Sequence, residues 1–412
     1  MVELKLSELK NKIISSDFII KLVESFFGRG SFIIFTLLFS LVCTRLYGAE
    51  IFGEFTYAFT LVQIIMIIPK AGLDSGLMYS IPKNKYKHVS FSFSTNFIIS
   101  LFLIGLSWIV IDDIYIKLML PLIWLISAEK IFFGIYRSEG RIKEYYFING
   151  FLTMLLRVLI IIGFYYLTGK NEYSIAIGVY ISFIFSNIMY FIQNKNKFNK
   201  IIFDKAYLKY SFTLVLATMM ATLINRVDIL MLGNMTTNTD VGIYQITFQV
   251  SNVLSSLLLI FNTVFAPEIA KLFHNGKKFE MNRLYIRATR FLTVSSFLIT
   301  LIIIIGSNFI LFIFGSEFVD GQVALILRSL GQFVNVAVGG VWLMLSMTGE
   351  PKFQMYANIV AFIINIVLNF VLIPVYGING AAFASMVTIM FTNIVGYIIV
   401  SRRFNVKVFK FF

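Results

Sequence analysis

A single cysteine, Cys43, occurs in the 412 residues. One cysteine closes no intrachain disulfide and builds no thiolate metal site. Histidine is nearly as scarce. His88 and His274 are the two present, neither has a ligand cluster near it, and each reads as a solvated loop residue. No glycine-rich stretch ends in Gly-Lys-Ser or Gly-Lys-Thr, so the chain has no phosphate-cradling loop for ATP hydrolysis. The acidic pair Asp112-Asp113 stands in a short loop and reads as water-facing rather than as a metal site. Neither a metal nor a cofactor is expected. Charge is also thin, at 14% of residues, where a soluble chain carries roughly 25%.

Apolar residues fill that space. They make up 58% of the chain, the mean hydropathy is +0.84, and the runs are long enough, at about 20 residues, to cross a ≈ 30 Å hydrocarbon layer as helix. They are Phe18 to Thr44, Phe52 to Ile68, Val89 to Ile111, Ile114 to Tyr136, Tyr145 to Leu167 and Tyr173 to Ile192, then Leu208 to Leu232, Val241 to Phe265, Phe291 to Phe314, Val323 to Met347, Phe353 to Tyr376 and Ala381 to Val400. An all-α polytopic membrane protein with about 12 crossings follows. The short alternating segments of a barrel are absent. Pro69, Pro121 and Pro374, in or beside spans, each remove a backbone hydrogen bond and read as fixed kinks.

Lys and Arg gather in alternate loops. One side holds Lys5, Lys10, Lys12, Lys83, Lys85, Lys87, Arg137, Arg141, Lys143, Lys195 to Lys205, Lys271 to Arg287, Lys352 and Arg402 to Lys410; the other offers Arg45 and Lys170 among Glu50, Asp112, Asp113, Glu172, Asp240, Glu317 and Asp320. The positive-inside rule places both termini in the cytoplasm. The net charge of +14 is therefore topology and an attraction for anionic membrane lipids, not a nucleic-acid surface.

Two segments repeat. Phe52-Gly53-Glu54-Phe55-Thr56-Tyr57-Ala58-Phe59 is echoed by Val241-Gly242-Ile243-Tyr244-Gln245-Ile246-Thr247-Phe248, and Asn149 with Thr168-Gly169 by Asn358 with Tyr376-Gly377. Six crossings per half give copies of one orientation, related by a pseudo-twofold axis along the membrane normal and facing each other across a cleft. The expected division is a cytoplasmic segment 1–16, which is a short surface helix or a solvated leader, a lobe 17–193, a basic linker 194–206, a lobe 207–401 and a cytoplasmic tail 402–412.

Charges inside the spans stand out, because a guanidinium at bilayer depth costs roughly 2.5 to 17 kcal/mol and must face protein or a watery cavity. Arg29 and Arg157 lie near mid-span, with Arg226 and Lys130 nearer an end; a cavity lined by them would suit an anion. Lys21, Lys70 and Arg328 sit where a long side chain snorkels to the headgroups, and Asn225 and Asn252 add polar contacts. Glu24, Asp74, Glu129 and Asp228 are the acids available as internal partners. Of these, Glu24, Asp74 and Asp228 are also candidates for proton or sodium coupling.

Leu311-Phe312-Ile313-Phe314-Gly315-Ser316-Glu317-Phe318, Asp228 to Gly233 with Val241-Gly242-Ile243-Tyr244, and above all Leu368-Asn369-Phe370-Val371-Leu372-Ile373-Pro374-Val375-Tyr376-Gly377-Ile378-Asn379-Gly380-Ala381-Ala382 resemble the second half of the polysaccharide-biosynthesis flippases. Arg45-Leu46-Tyr47-Gly48, Phe52-Gly53-Glu54-Phe55 and Gly72-Leu73 fit the first half. The resemblance implies a fold like that of the MATE transporters, within the multidrug/oligosaccharidyl-lipid/polysaccharide exporter superfamily. It also implies a bacterial inner-membrane protein that flips undecaprenyl-pyrophosphate-linked O-antigen or capsule repeat units by alternating access. The implied partners are the lipid-linked glycan, membrane lipids, and the polymerase and chain-length regulator of the same pathway. The alternatives are a drug or cation antiporter of the same fold and, behind it, an integral-membrane glycosyltransferase or polymerase. The basic residues then acquire a specific expectation: Arg29, Arg157, Arg226 and Lys130 hold the pyrophosphate, and the membrane potential or an ion gradient supplies direction.

Overall fold

A computed structural model describes the backbone of residues 16–84, 86–406 and 408, and most side chains from Gly30 onward. The expected surface helix in 1–16 lies outside the described residues, as do the side chains of Lys21, Glu24 and Arg29. The chain is a succession of helices with no strand among the described residues. Nine of these segments are long and apolar enough to cross a membrane. Two of them, Phe32–Lys83 and Lys352–Phe404, run to 52 and 53 residues, twice the length one crossing needs.

Glycine makes those double lengths into pairs. In α1 (Ser16–Ile65) the backbone breaks at Gly48, with φ 87° and ψ 176°, a conformation essentially confined to glycine. The first half continues through α2 (Ile67–Lys70), α3 (Leu73–Asn84), α4 (Val89–Val110), α5 (Ile114–Met119), α6 (Leu122–Ser138), α7 (Ile142–Tyr146), a π-helical turn Phe147–Thr153, α8 (Met154–Thr168) and α9 (Tyr173–Asn194). Pro121 stands at the break between α5 and α6, in keeping with a kink. The second half comprises α10 (Lys205–Ile224), α11 (Val227–Met235), α12 (Asn238–His274), α13 (Lys278–Ile305), α14 (Ser307–Phe314), α15 (Gln322–Ala337), α16 (Val341–Met347) and α17 (Lys352–Phe404). In α17 the break falls at Gly377, with φ 52°, three residues after Pro374. Gly169, matched to Gly377 in the second echo, also takes positive φ, at the end of α8. The α10–α11 pair completes the crossings.

The described residues after α17 turn back onto the second half. Asn405 turns the chain in the left-handed region, after which Val406 and Val408 are buried, and the Val408 carbonyl accepts a hydrogen bond from Arg290 Nε at 3.0 Å. Both valines pack on the cluster around Met281, Tyr285 and Met344.

Candidate functional site

The halves meet where the sequence repeats. A Cβ built on Gly53 would fall 1.7 Å from the Asn238 carbonyl oxygen, and one on Gly242 would fall 2.3 Å from that of Ala49. Each glycine of the repeated motif thus sits against the carbonyl four residues ahead of its counterpart, as a pseudo-twofold axis between them requires. Hydrogen bonds extend the contact: Ser40 Oγ donates to Gln249 Oε1 at 2.7 Å, the Ala49 amide donates to Glu317 Oε1 at 2.7 Å, and Arg45 donates to the carbonyls of Ile313 and Phe312 at 2.7 and 2.8 Å. Arg45 and Glu317 lie at the end remote from the basic loops. The halves are therefore closed on each other at that end.

A buried polar group occupies each half. In the first, Glu129 of α6 is 1% exposed and accepts from Asn149 Nδ2 at 2.6 Å, Ser186 Oγ at 3.1 Å and Tyr145 Oη at 3.4 Å. Asn149 belongs to the π-helical turn, a distortion frequent at functional sites. Lys130 Nζ lies 3.7 Å from Glu129, with its side chain 42% exposed. Arg157 is buried: Nε donates to Ser182 Oγ at 2.9 Å, and the guanidinium lies over the rings of Phe39 and Phe183, 5.5 and 4.9 Å from their centroids. Packing between aromatic faces replaces water around this cation.

The second half centres on Asp228 of α11, itself buried. Its carboxylate accepts from Tyr244 Oη at 2.8 Å, from Asn369 Nδ2 at 3.0 Å and from Ser385 Oγ. Arg328 Nη1 lies 3.4 Å away. Arg328 also donates to Tyr244 Oη at 2.6 Å, Ser385 Oγ at 2.8 Å and Ser251 Oγ at 3.3 Å. Depth along its span suggested that Arg328 snorkels. Instead it is 2% exposed, because partners on α11, α12 and α17 satisfy it from within. Arg226 and Arg328 share the Phe248 ring, 5.6 and 4.6 Å from its centroid. A cavity of about 20 Å³ bounded by Asn225, Asp228, Arg328, Asn365 and Ser385 has room for one water. Asn252 accepts from Gln332 Nε2 at 2.7 Å, and Gln332 in turn from Asn335.

These pairs sort the candidates. Lys70 contacts Asp74 at 3.2 Å, one turn on, so Lys70, Lys130 and Arg328 each lie within 4 Å of a carboxylate. Arg157 and Arg226 have none within that reach among the described residues. Tyr244, Phe248, Ser385, Asn365 and Asn369 are not residues that span position singles out. Their only sequence signals are the repeated motif, which contains Tyr244 and Phe248, and the Leu368 to Ala382 stretch, which contains Asn369.

At the basic end a clasp holds the linker to the first half. Its loop position predicts a solvated His88, yet the residue is 2% exposed. It bonds Ser80 Oγ through Nδ1 at 2.5 Å and Asp204 Oδ2 through Nε2 at 3.1 Å, and it stacks on Tyr207 at 4.4 Å. The Tyr207 amide, opposed by a desolvation cost and helped by His88 and the Ala206 amide, holds the Asp204 carboxyl below its usual value. Nearby, Glu139 is bound by Lys197, by Arg141 at 3.1 Å and by Tyr86 Oη at 2.8 Å. Burial works to raise the Glu139 carboxyl, but these donors together hold it below the ordinary range.

Residues 42–322 match the family model described as polysaccharide biosynthesis protein. The chain is 20% identical over 377 residues, 88% of its length and 94% of the relative's, to the capsular polysaccharide biosynthesis protein CapF of Staphylococcus aureus. Among solved structures it is similar to an inward-facing multidrug resistance transporter of the MATE family, at TM-score 0.72 and 14% identity over 90% of this chain and 94% of that one. It is also similar to the lipid II flippase MurJ in an inward closed conformation, at TM-score 0.68 and 14% identity over 92% and 87%. At those identities the likeness is one of fold: an all-helical membrane protein of two six-helix lobes.

Proposed function

Because the chain belongs to the polysaccharide biosynthesis protein family, we propose that it is a flippase that carries polyprenyl-pyrophosphate-linked oligosaccharide repeat units from the cytoplasmic to the outer leaflet by alternating access. The observation that carries this is the surplus of positive charge within the spans. Among the described residues, Asp74, Glu129 and Asp228 each already have a cation within 4 Å, and Glu54 adds one acid without an ion pair, while Arg157 and Arg226 have no carboxylate within that distance. A pyrophosphate supplies the missing anion. Guanidinium groups suit its oxygens because their planar fork makes paired, charge-assisted hydrogen bonds. A drug-cation antiporter would need an unmatched acid in the same place.

Arg226, which shares the Phe248 ring with Arg328, and Lys130, whose side chain is 42% exposed beside Glu129, are the first contacts in this account. Arg157 and Arg328, both buried, support them from behind. Asp228 and Asp74, being paired, are poor sites for a coupling ion, so the membrane potential provides the direction. In a strain expressing Lys130→Ala/Arg226→Ala, surface glycan falls about tenfold or more, since each charge-assisted bond is worth ~1.5–3 kcal/mol. Single lipid-linked units accumulate on the cytoplasmic leaflet. Normal glycan would defeat the assignment, and units exported but left unpolymerised would point to a polymerase.

A further inference from the structure

We propose that the linker between the two lobes is a membrane-surface anchor, seating Ile201, Ile202 and Phe203 in the headgroup layer of the leaflet on the basic side, with anionic lipid as its partner. The segment after the 3₁₀ turn Lys195–Lys197 has no regular structure until α10 begins at Lys205. At its tip Ile201, Ile202 and Phe203 are 62%, 42% and 71% exposed. Three consecutive large apolar side chains in water are unusual unless something covers them.

The surroundings identify what covers them. The tip lies between the ends of two membrane helices, α9 and α10, so it cannot be far from the bilayer surface. The Phe203 ring sits edge-on to Phe91 at 5.7 Å, and Phe198 packs on Phe93 at 5.1 Å and on Phe191 at 5.3 Å. Phe91 and Phe93 open α4, in which only 11% of the most apolar stretch is buried, the mark of a helix surrounded by lipid. Lys195, Lys200 and Lys205 are exposed on either side of the tip and have no ion pair among the described residues. The local acids are engaged: Asp204 by His88 and Lys87, Glu139 by Lys197 and Arg141. Apolar side chains flanked by unpaired lysines at a membrane boundary match an anionic leaflet, which attracts basic juxtamembrane segments while apolar groups enter the interface.

The anchor belongs to the first lobe. Lys197 is bound to Glu139, the Asn199 carbonyl accepts from Ser90 Oγ at 2.5 Å, and Asp204 is held by His88. Lipid gripping the tip therefore fixes that lobe against the bilayer, together with the start of α10, whose Tyr207 stacks on His88 and whose Tyr210 stacks on Tyr79.

The test uses the full chain with Ile202→Cys, labelled with an environment-sensitive dye and placed in nanodiscs. Cys43, being fully buried, escapes the label, and a Cys43→Ser version controls for it. The expected result is blue-shifted emission, loss of most of the signal when shallowly spin-labelled lipid is included, and stronger quenching with phosphatidylglycerol than with phosphatidylcholine alone. Lys195→Gln/Lys200→Gln/Lys205→Gln removes the preference for phosphatidylglycerol. Water-like emission without quenching in both lipids overturns the proposal. So does a dye that is shielded in native membranes but not in nanodiscs, which would assign the surface to a protein partner.

Discussion

Arg328 shows how far depth alone can mislead. Its distance from the span end allows snorkelling, but a carboxylate 100 residues away and hydroxyls from Tyr244, Ser385 and Ser251 hold it inside. Sequence gives position along a helix and says little about which elements close around it. The same gap hides His88, whose partner Asp204 is 116 residues distant. Breaking a buried pair leaves a charge unmet and costs roughly 3–5 kcal/mol. Arg328→Gln is therefore expected to melt well below the parent in detergent, and Arg328→Gln/Asp228→Asn to recover part of the loss. If Arg328→Gln melts like the parent, the pair is not what holds those helices. The carboxyls of the clasp carry a pH signature. Asp204 and Glu139 are both held below their ordinary values, so their contribution is complete above about pH 5 and disappears as pH falls through the lower folded values. Lys87 and His88 face Asp204. Limited proteolysis of the linker should stay constant from neutral pH to about pH 5 and rise below it; cleavage that rises near neutrality would contradict this.

At the scale of elements, apolar run length is enough to locate nearly every crossing, because the bilayer fixes how long a helix must be. Breaks inside runs are less visible. The run from Leu208 to Leu232 is interrupted at Asn225 and Arg226, and the one from Phe291 to Phe314 at Gly306; neither interruption changes hydropathy enough to mark it. Glycine repeats are the more informative signal. Gly53 and Gly242 are recognisable as a duplicated pair, and their neighbours show why each lacks a side chain: a backbone carbonyl occupies the space. Gly53→Leu should force the lobes apart at the end remote from the basic loops. Ala49, with no exposed surface, then becomes reachable, so an Ala49→Cys thiol reacts with a membrane-impermeant reagent several-fold faster in the Gly53→Leu background. Gly105→Leu, at a glycine with open space around it, should leave that rate unchanged. Equal rates in all three would remove the closure from the account.

As a whole molecule, the chain is two like lobes carrying unlike charges. Counting back from the matched glycines, Thr218 stands where Arg29 would be, so the scaffold is symmetric and its basic residues are not. Two lobes that rock about one axis expose the same site to either side in turn. On the proposed reading the site is cationic and the cargo anionic, and the potential would then give direction without ATP, because moving one negative charge outward across an inside-negative membrane gains about 2.3 kcal/mol per 100 mV. Composition and charge distribution make the membrane class and the duplicated scaffold legible. The cargo contacts are not, since they depend on which helix faces converge. The most direct test is transport in proteoliposomes of uniform orientation, given a labelled polyprenyl-pyrophosphate-linked repeat unit, with the potential and the proton and sodium gradients set independently. Flipping toward the outer leaflet should accelerate as the cytoplasmic side is made negative, with no ion gradient imposed, and slow when the polarity is reversed. A rate indifferent to potential, or one that follows only a proton or sodium gradient, would contradict the account.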